Sequence, residues 1–338
     1  MCTTFRLTTN DGAPIVGRTM EFGADLDWRL AIVPQGTRFA GTAPDGASGR
    51  RWTARHGFTG VTALGRMSAT DGVNDAGLYA GLLYLPGFAQ YEAADGVAAE
   101  DLISPDEVAS LVLASASSVE EAVDAVSSVV VWNRIEEVLG GILPIHLVLH
   151  DRSGAAAVVE WVDGERHVHE NRLGVCTNAP PFDWHLINLR NFVNLSATNV
   201  APLELDGAQI AGLGQGTGLL GLPGDWTPPS RFVRATAMAQ ATLKVDGPDA
   251  GMLAAFHVVN AFDIPKGVVR GPDGGDYTAW SSVVDLAGGR YAVRTYEDPT
   301  PRLVTLGELD LSTGAEVQSL PLPSQSAFLP WSAVESRT

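Results

Sequence analysis

Strand signals and helix signals fall in separate blocks along this 338-residue chain, and that block order restricts its architecture more than any single residue does. Residues 4–9 and 14–18 read as strands joined by the turn Asn10-Asp11-Gly12, a hairpin that returns Arg18 to the neighbourhood of residue 2. Residues 30–33 and 78–84 are further strand candidates. Two helix starts come next. Ser104-Pro105-Asp106-Glu107 is a capping box with proline at the first helical position, and Ser117-Ser118-Val119-Glu120 is a second. They predict helices running to about 114 and 126. Strands return at 145–150 and 156–161, around the turn Asp151-Arg152-Ser153-Gly154, and a third at 173–177 leads into Asn178. Helices are predicted over 229–243 and 248–261, then a hairpin of 280–285 and 290–295 around Gly288-Gly289. Blocks in this order give antiparallel sheets covered by helices, an α+β layered fold. No repeat, low-complexity tract or linker interrupts them, so a single domain over 1–338 is expected, with 332–338 a loose tail.

Composition narrows the function classes. A hydrophobic content of 45% with 18% charged residues describes a well-buried globular chain. The formal charge of −17 argues against a nucleic-acid partner, because phosphate neutralisation needs clustered Lys and Arg. Acidic pairs such as Glu120-Glu121 and Glu136-Glu137 read as solvated surface. No run of about 18 apolar residues predicts a membrane span. No basic-then-apolar leader precedes Cys2, so a cytoplasmic location is expected as the sequence stands, or a periplasmic or secreted one if Met1 stands where a signal segment was removed.

The chain has two cysteines. They make no disulfide framework, although a Cys2–Cys176 bridge stays open. Cys176, in Leu173-Gly174-Val175-Cys176-Thr177, reads as a buried strand thiol. Cys2 is different. If Met1 is removed, it carries a free α-amine with a pKa of roughly 7.7–8.0 beside a thiol of about 8.5, so one residue supplies nucleophile and base. The competing reading is a small hydrophobe in the core. Other chemistries find little support. Gly216-Thr217-Gly218-Leu219-Leu220-Gly221 fits a dinucleotide fingerprint, but no strand precedes it and Leu222-Pro223-Gly224-Asp225 follows where a helix should start. His146 and His150 sit on a strand pattern, and His167 and His169 flank Val168; neither pair has the further ligands a metal needs. No Gly-x-Ser-x-Gly elbow is present. Neither cofactor nor metal is expected.

Seven segments in order resemble one family. They are Cys2-Thr3-Thr4-Phe5, Gly17-Arg18-Thr19-Met20-Glu21-Phe22, Asp71-Gly72-Val73-Asn74-Asp75-Ala76-Gly77, Leu83-Tyr84-Leu85-Pro86-Gly87, Thr177-Asn178-Ala179-Pro180, Leu222-Pro223-Gly224-Asp225 and Ser230-Arg231-Phe232-Val233-Arg234. Together they are similar to the cholylglycine hydrolase family, the penicillin V acylases, bile salt hydrolases and related linear-amide hydrolases of the N-terminal-nucleophile superfamily. The resemblance runs from residue 2 to about Tyr296. It implies a four-layer αββα sandwich of two antiparallel sheets covered by helices. It also implies a thioester mechanism in which Cys2 attacks an amide carbonyl and water releases the acyl group. Arg18 would favour the thiolate. Glu21 stands where the family usually has aspartate, orienting the N-terminal amine, and its extra methylene is the clearest departure from the pattern. The Asn178 amide and the Tyr84 backbone N–H would form the oxyanion hole, and Arg231, one turn before Arg234, would support the charged intermediate.

Phe22, Tyr84, Leu85, Phe88 and Trp132 are the pocket candidates, with Trp184 and Trp226 further off, and such a set suits a hydrophobic acyl chain. Tyr84 matches the tyrosine of penicillin V acylases, where bile salt hydrolases often carry asparagine. Phenoxyacetyl or medium fatty-acyl amides, or N-acyl homoserine lactones, are therefore the expected small-molecule substrates, with conjugated bile acids the alternative. A non-catalytic binding protein would be expected to lose Cys2, Arg18 or Asn178, and all three are present. A self-processing amidase of the ceramidase type would need internal cleavage, whereas Cys2 needs only loss of Met1. Similar proteins are commonly homotetramers, so the resemblance implies a homo-oligomer; apolar residues 210–222 and Leu320-Pro321-Leu322-Pro323 could join an interface or cover the core.

Overall fold

Apolar side chains that alternate along each strand bury both faces of two antiparallel sheets, seen in a computed structural model that describes residues 1–136, 140–271 and 274–325. The first sheet has five strands in the order Cys2–Thr8, Pro14–Glu21, Thr278–Asp285, Arg290–Thr295 and Arg302–Thr305. The second has eight, in the order Glu165–Glu170, Ala156–Val162, Ile145–Asp151, Leu78–Tyr84, Ala69–Asn74, Phe58–Thr62, Arg29–Val33 and Gln318–Pro321. Tyr79, Leu83, Val148 and Val158 of the second sheet join the core between the sheets, while Ala80, Leu82, Leu147, Leu149 and Val159 join a second core. That second core lies under helices α1 (Val108–Ser115) and α2 (Val119–Ser127). Helix α3 (Phe182–Asn188) leads on to α4 (Pro228–Ala241) and α5 (Gly247–Val259), which cover the outer face of the first sheet through Phe232, Ala235, Met252, Ala255 and Val258. Each such fully buried side chain as Phe232 contributes roughly 1.5–3 kcal/mol. The layers run helix, sheet, sheet, helix, the αββα sandwich that the motifs imply.

The first hairpin forms as its turn residues predict, with Thr4 opposite Arg18 and Cys2 opposite Met20. The 145–150/156–161 and 280–285/290–295 hairpins also form. Three details differ. Residues 173–177 are not a strand but make one bridge, in which Thr4 and Cys176 exchange backbone hydrogen bonds of 2.8 and 3.0 Å. The positive φ of Gly174 and its hydrogen bond to the Asn171 side chain turn the chain there. Cys176 is buried, and both cysteines are free thiols, so no Cys2–Cys176 bridge forms. The second cap is Ser118 rather than Ser117: its hydroxyl accepts from the Glu121 N–H, while the Glu121 carboxylate accepts from Ser117 N–H. Finally, Glu136 is not solvated surface but is buried against Arg66. Glu137 and the tail at 332–338 lie outside the described residues. No helix among the described residues is long and apolar enough to cross a membrane.

Candidate active site

The Pro14–Glu21 strand divides the site between its two faces. Arg18 and Met20 face the second sheet, and Glu21 faces the α4 side. Arg18 is fully buried between the sheets and donates to the main-chain oxygens of Thr70 and Leu82. Its Nη2 lies 3.8 Å from Cys2 Sγ. Burial works against the guanidinium charge, yet Tyr79, Asp71 and Cys2 more than offset it and hold Arg18 above the ordinary arginine value. Asp71 lies 3.8 Å from Arg18 and accepts from Ser282 at 2.8 Å and Tyr291 at 2.7 Å. Burial raises this carboxyl, and the contact with Arg18 with the two hydroxyls pulls it back.

Arg231 comes to Cys2 from the opposite face. It is fully buried on α4, donates to the Cys2 and Trp226 carbonyls and the Thr3 hydroxyl, and reaches Asn178 Oδ1 through Nη2. Arg234, one turn on, turns away to the carbonyls of Pro223 and Asp225. The two arginines are thus separated by what they touch.

Asn178 ties the pieces together. Its Oδ1 accepts from the Cys2 backbone N–H at 2.8 Å and its Nδ2 donates to Tyr84 O at 2.7 Å, which leaves the second Nδ2 hydrogen for another acceptor. Leu85 N–H donates to Pro144 O, so strand alternation points the Tyr84 N–H away from that neighbour and to the same edge as its Asn178-bonded carbonyl. Beneath Asn178, His185 Nε2 meets its main-chain oxygen at 2.8 Å, and His146 lies 3.2 Å from the Thr177 oxygen. Burial lowers His185 to about 4, so it is neutral. His146 also contacts Glu160 at 2.8 Å. Burial opposes the charge on His146, but Cys176 and Glu160 outweigh it and raise its pKa well above the ordinary value. Glu160 falls to about 2 against its burial cost, through His146, His169 and the Phe182 N–H. The histidine paired with a carboxylate here is a support for the Asn178 loop. Among the described residues no group of three or more His, Cys, Asp or Glu side chains is placed to hold a metal ion.

Glu21 is buried. Its Oε1 accepts from Thr278 Oγ1 at 3.1 Å and its Oε2 has no partner. Burial raises its pKa, and Arg231, the chain's amine, Thr19 and Thr278 pull it back. The Met1 amine donates to the Glu21 main-chain carbonyl at 2.6 Å and to Asp276 Oδ2 at 3.2 Å, not to the Glu21 carboxylate.

Cys2 lines a cleft that opens to solvent. Phe22 and Tyr84 line it. The other proposed pocket residues lie elsewhere: Leu85 is fully buried, Phe88 is exposed away from the lining, and Trp132 is tied through its indole N–H to Thr42 O. The apolar wall comes instead from Leu26, Trp28, Leu64, Leu143 and Ile145, and Arg66, Asp106 and Glu136 supply its charged part. Trp184 and Trp226 do not reach it. Sequence reasoning missed Trp28 and Asp276, whose single letters carry no local signal. It quoted Asp71 within a motif without giving it a role.

A family model described as linear amide C–N hydrolases, choloylglycine hydrolase family, matches residues 2–320. A bile salt hydrolase/transferase from Clostridium perfringens is 30% identical over 325 residues, covering 94% of this chain and 96% of the relative. The crystal structure of the C2A mutant of conjugated bile acid hydrolase from the same organism superimposes with a TM-score of 0.86 at 27% identity, over 98% of this chain and 100% of that one. Penicillin V acylase from Agrobacterium tumefaciens gives 0.78 at 27% identity, over 95% and 91%.

Proposed function

Because the chain belongs to the choloylglycine hydrolase family of linear amide C–N hydrolases, we propose that it cleaves an N-acyl amide with an apolar acyl group, penicillin V among the candidates, through a Cys2 thioester. The observation that carries this reading is the Cys2 thiol, which lines an apolar cleft and lies 3.8 Å from a fully buried Arg18. Loss of Met1 frees the Cys2 amine, which takes the thiol proton. The sulfur attacks the acyl carbonyl, the Asn178 amide and Tyr84 N–H receive the oxyanion, and the amine leaves with the proton returned from the Cys2 α-ammonium. Water then attacks the thioester carbonyl, and the carboxylic acid departs as the thiol reforms. Phe22, Trp28 and Tyr84 favour an aromatic or medium-chain acyl group in the cleft.

A second reading, hydrolysis of conjugated bile acids, is favoured by the 30% identity to a bile salt hydrolase/transferase. Intact mass and product release from penicillin V, compared between wild type and Cys2→Ala, test the first reading. Loss of Met1 with 6-aminopenicillanic acid released by wild type alone is expected. Met1-free protein that leaves penicillin V and acyl homoserine lactones intact but cleaves glycocholate would move the assignment to the second reading. Undiminished turnover by Cys2→Ala would overturn both.

A further inference from the structure

Residues 177–181 carry the Asn178 amide yet belong to no strand or helix, and main-chain groups along this loop meet side chains instead. His146 Nε2 lies 3.2 Å from Thr177 O and 3.8 Å from Cys176 Sγ, and its Nδ1 lies 2.8 Å from Glu160 Oε1. Glu160 in turn accepts from the Phe182 N–H through both oxygens, at 3.1 and 3.0 Å. One buried imidazole–carboxylate pair therefore holds the loop at both of its ends. His169 Nε2 stands 3.5 Å from the second Glu160 oxygen, and His185 Nε2 donates to Asn178 O at 2.8 Å.

The contacts fix the protonation of His146. A peptide carbonyl and a carboxylate only accept, so both ring nitrogens donate and the ring is an imidazolium. A neutral ring would leave one of these buried acceptors without its donor. The position of His146 along its strand also matters. It follows Ile145, which pairs with Tyr84 across the sheet. The Ile145–Asp151 strand thus registers Tyr84 through its backbone and Asn178 through His146, and these are the two groups proposed to receive the oxyanion. Cys176, His146 and Glu160 do have the order of a nucleophile, a base and an orienting acid. All three are buried and none lines the cleft, so they do not form a second nucleophilic centre.

Resting on the amidase reading above, we infer that His146, held by Glu160, is a positioning residue for the oxyanion hole, its Nε2–H on Thr177 O setting the Asn178 amide for the transition state rather than for substrate binding. The Cys2 N–H, Arg231 and the Tyr84 carbonyl orient the amide through its own atoms. His146 acts one peptide unit earlier, on the main chain from which that amide projects.

Two substitutions separate the ring nitrogens. In His146→Asn the amide reaches the Nδ1 position beside Glu160, and in His146→Gln it reaches the Nε2 position beside Thr177. The substrate is whichever of penicillin V, an acyl homoserine lactone and glycocholate the Met1-free wild type cleaves fastest. His146→Asn is expected to lower kcat by about tenfold to 100-fold with KM unchanged, as a small misplacement of a catalytic group does. His146→Gln should restore most of that loss. In an Asn178→Ala background His146→Asn should cost nothing further, because its effect passes through that amide. Alkylation of Cys2 by iodoacetamide, a displacement that forms no oxyanion, should proceed at the wild-type rate in His146→Asn. Equal loss in both variants, wild-type kcat in His146→Asn, a full additional loss on Asn178→Ala, or a parallel fall in alkylation would each overturn the inference while leaving the amidase reading in place. Nitrogen NMR shifts of the wild-type His146 ring at neutral pH should show both nitrogens protonated, and an unprotonated Nε2 would overturn it whether or not the variants fold. No turnover of any of the three substrates by wild type would sink the amidase reading and this inference with it.

Discussion

Glu21 is where a single residue tests the proposed chemistry most sharply. Its buried Oε2 has no partner, although a buried carboxylate oxygen left alone is costly. In the proposed mechanism a freed Cys2 amine is the donor that would satisfy it. Glu21→Gln is therefore expected to lower kcat/KM by roughly 10–100-fold, the range of about 1.5–3 kcal/mol for a hydrogen bond to a charged group. Glu21→Asp should keep most of the activity. Steady-state kinetics on the best acyl amide decide it; activity kept by the isosteric Glu21→Gln and lost by the shorter Glu21→Asp would mean that Glu21 only fills space. Arg231 could be separated from Arg234 only in three dimensions, because the sequence places both on one helix a turn apart. What distinguishes them is that Arg231 reaches Cys2 O and Asn178 Oδ1.

Elements deliver these residues through close sheet-to-sheet approach, and glycine sets the spacing. A Cβ on Gly81 would stand 2.7 Å from the Tyr79 hydroxyl and 3.2 Å from Arg18 Nη1. Gly81→Ala should push the Nη1 of Arg18 off the Thr70 carbonyl and with it shift the guanidinium away from the thiol, and overpacking of this kind costs about 1–3 kcal/mol. The expected result is a kcat/KM loss of at least tenfold in protein that still unfolds cooperatively; wild-type kinetics would show that Arg18 is not held by this contact. The same glycines explain where sequence reading stopped. The hairpins at 2–21, 145–162 and 278–295 were legible because alternating apolar residues flank recognisable turns. The Phe58–Thr62 and Ala69–Asn74 strands went unread because Gly60 and Gly72 replace side chains that would clash: a Cβ on Gly60 would meet Asp71 O at 2.0 Å. Residues 173–177 misled in the opposite sense, with an apolar run that one glycine at positive φ bends into a loop. Cleft walls such as Trp28 and Leu143, far apart in the chain, meet only after the layers form.

Across the whole molecule, buried titratable groups couple the layers to pH. His150 lies in the core between the sheets, with both ring nitrogens unpartnered, and burial followed by Arg6 lowers it to about 3. Its folded pKa is below the unfolded value of about 6.5, so as pH falls through that interval the unfolded chain binds a proton that the folded chain refuses, and stability is lost. His185, at about 4, acts in the same sense. Glu160, held at about 2, adds a loss once pH falls below its unfolded value of about 4.3. His146 has the opposite sign: its raised pKa contributes fully below about 6.5 and is lost as pH rises through the folded value. Glu21 and Asp71, with raised carboxyls, also bind protons more readily when folded, so they partly offset the acid loss. Because these signs mix, the clean measurement is a difference. His150→Asn keeps a polar side chain of similar reach without a titrating ring. Between pH 6.5 and 4 it should lose less stability than wild type, by on the order of 3 kcal/mol for a pKa displaced from about 6.5 to about 3. Urea unfolding of both proteins at the two pH values gives this number directly. Parallel losses would mean that His150 finds a proton acceptor in the folded state, and that the core between the sheets admits a charge without opening.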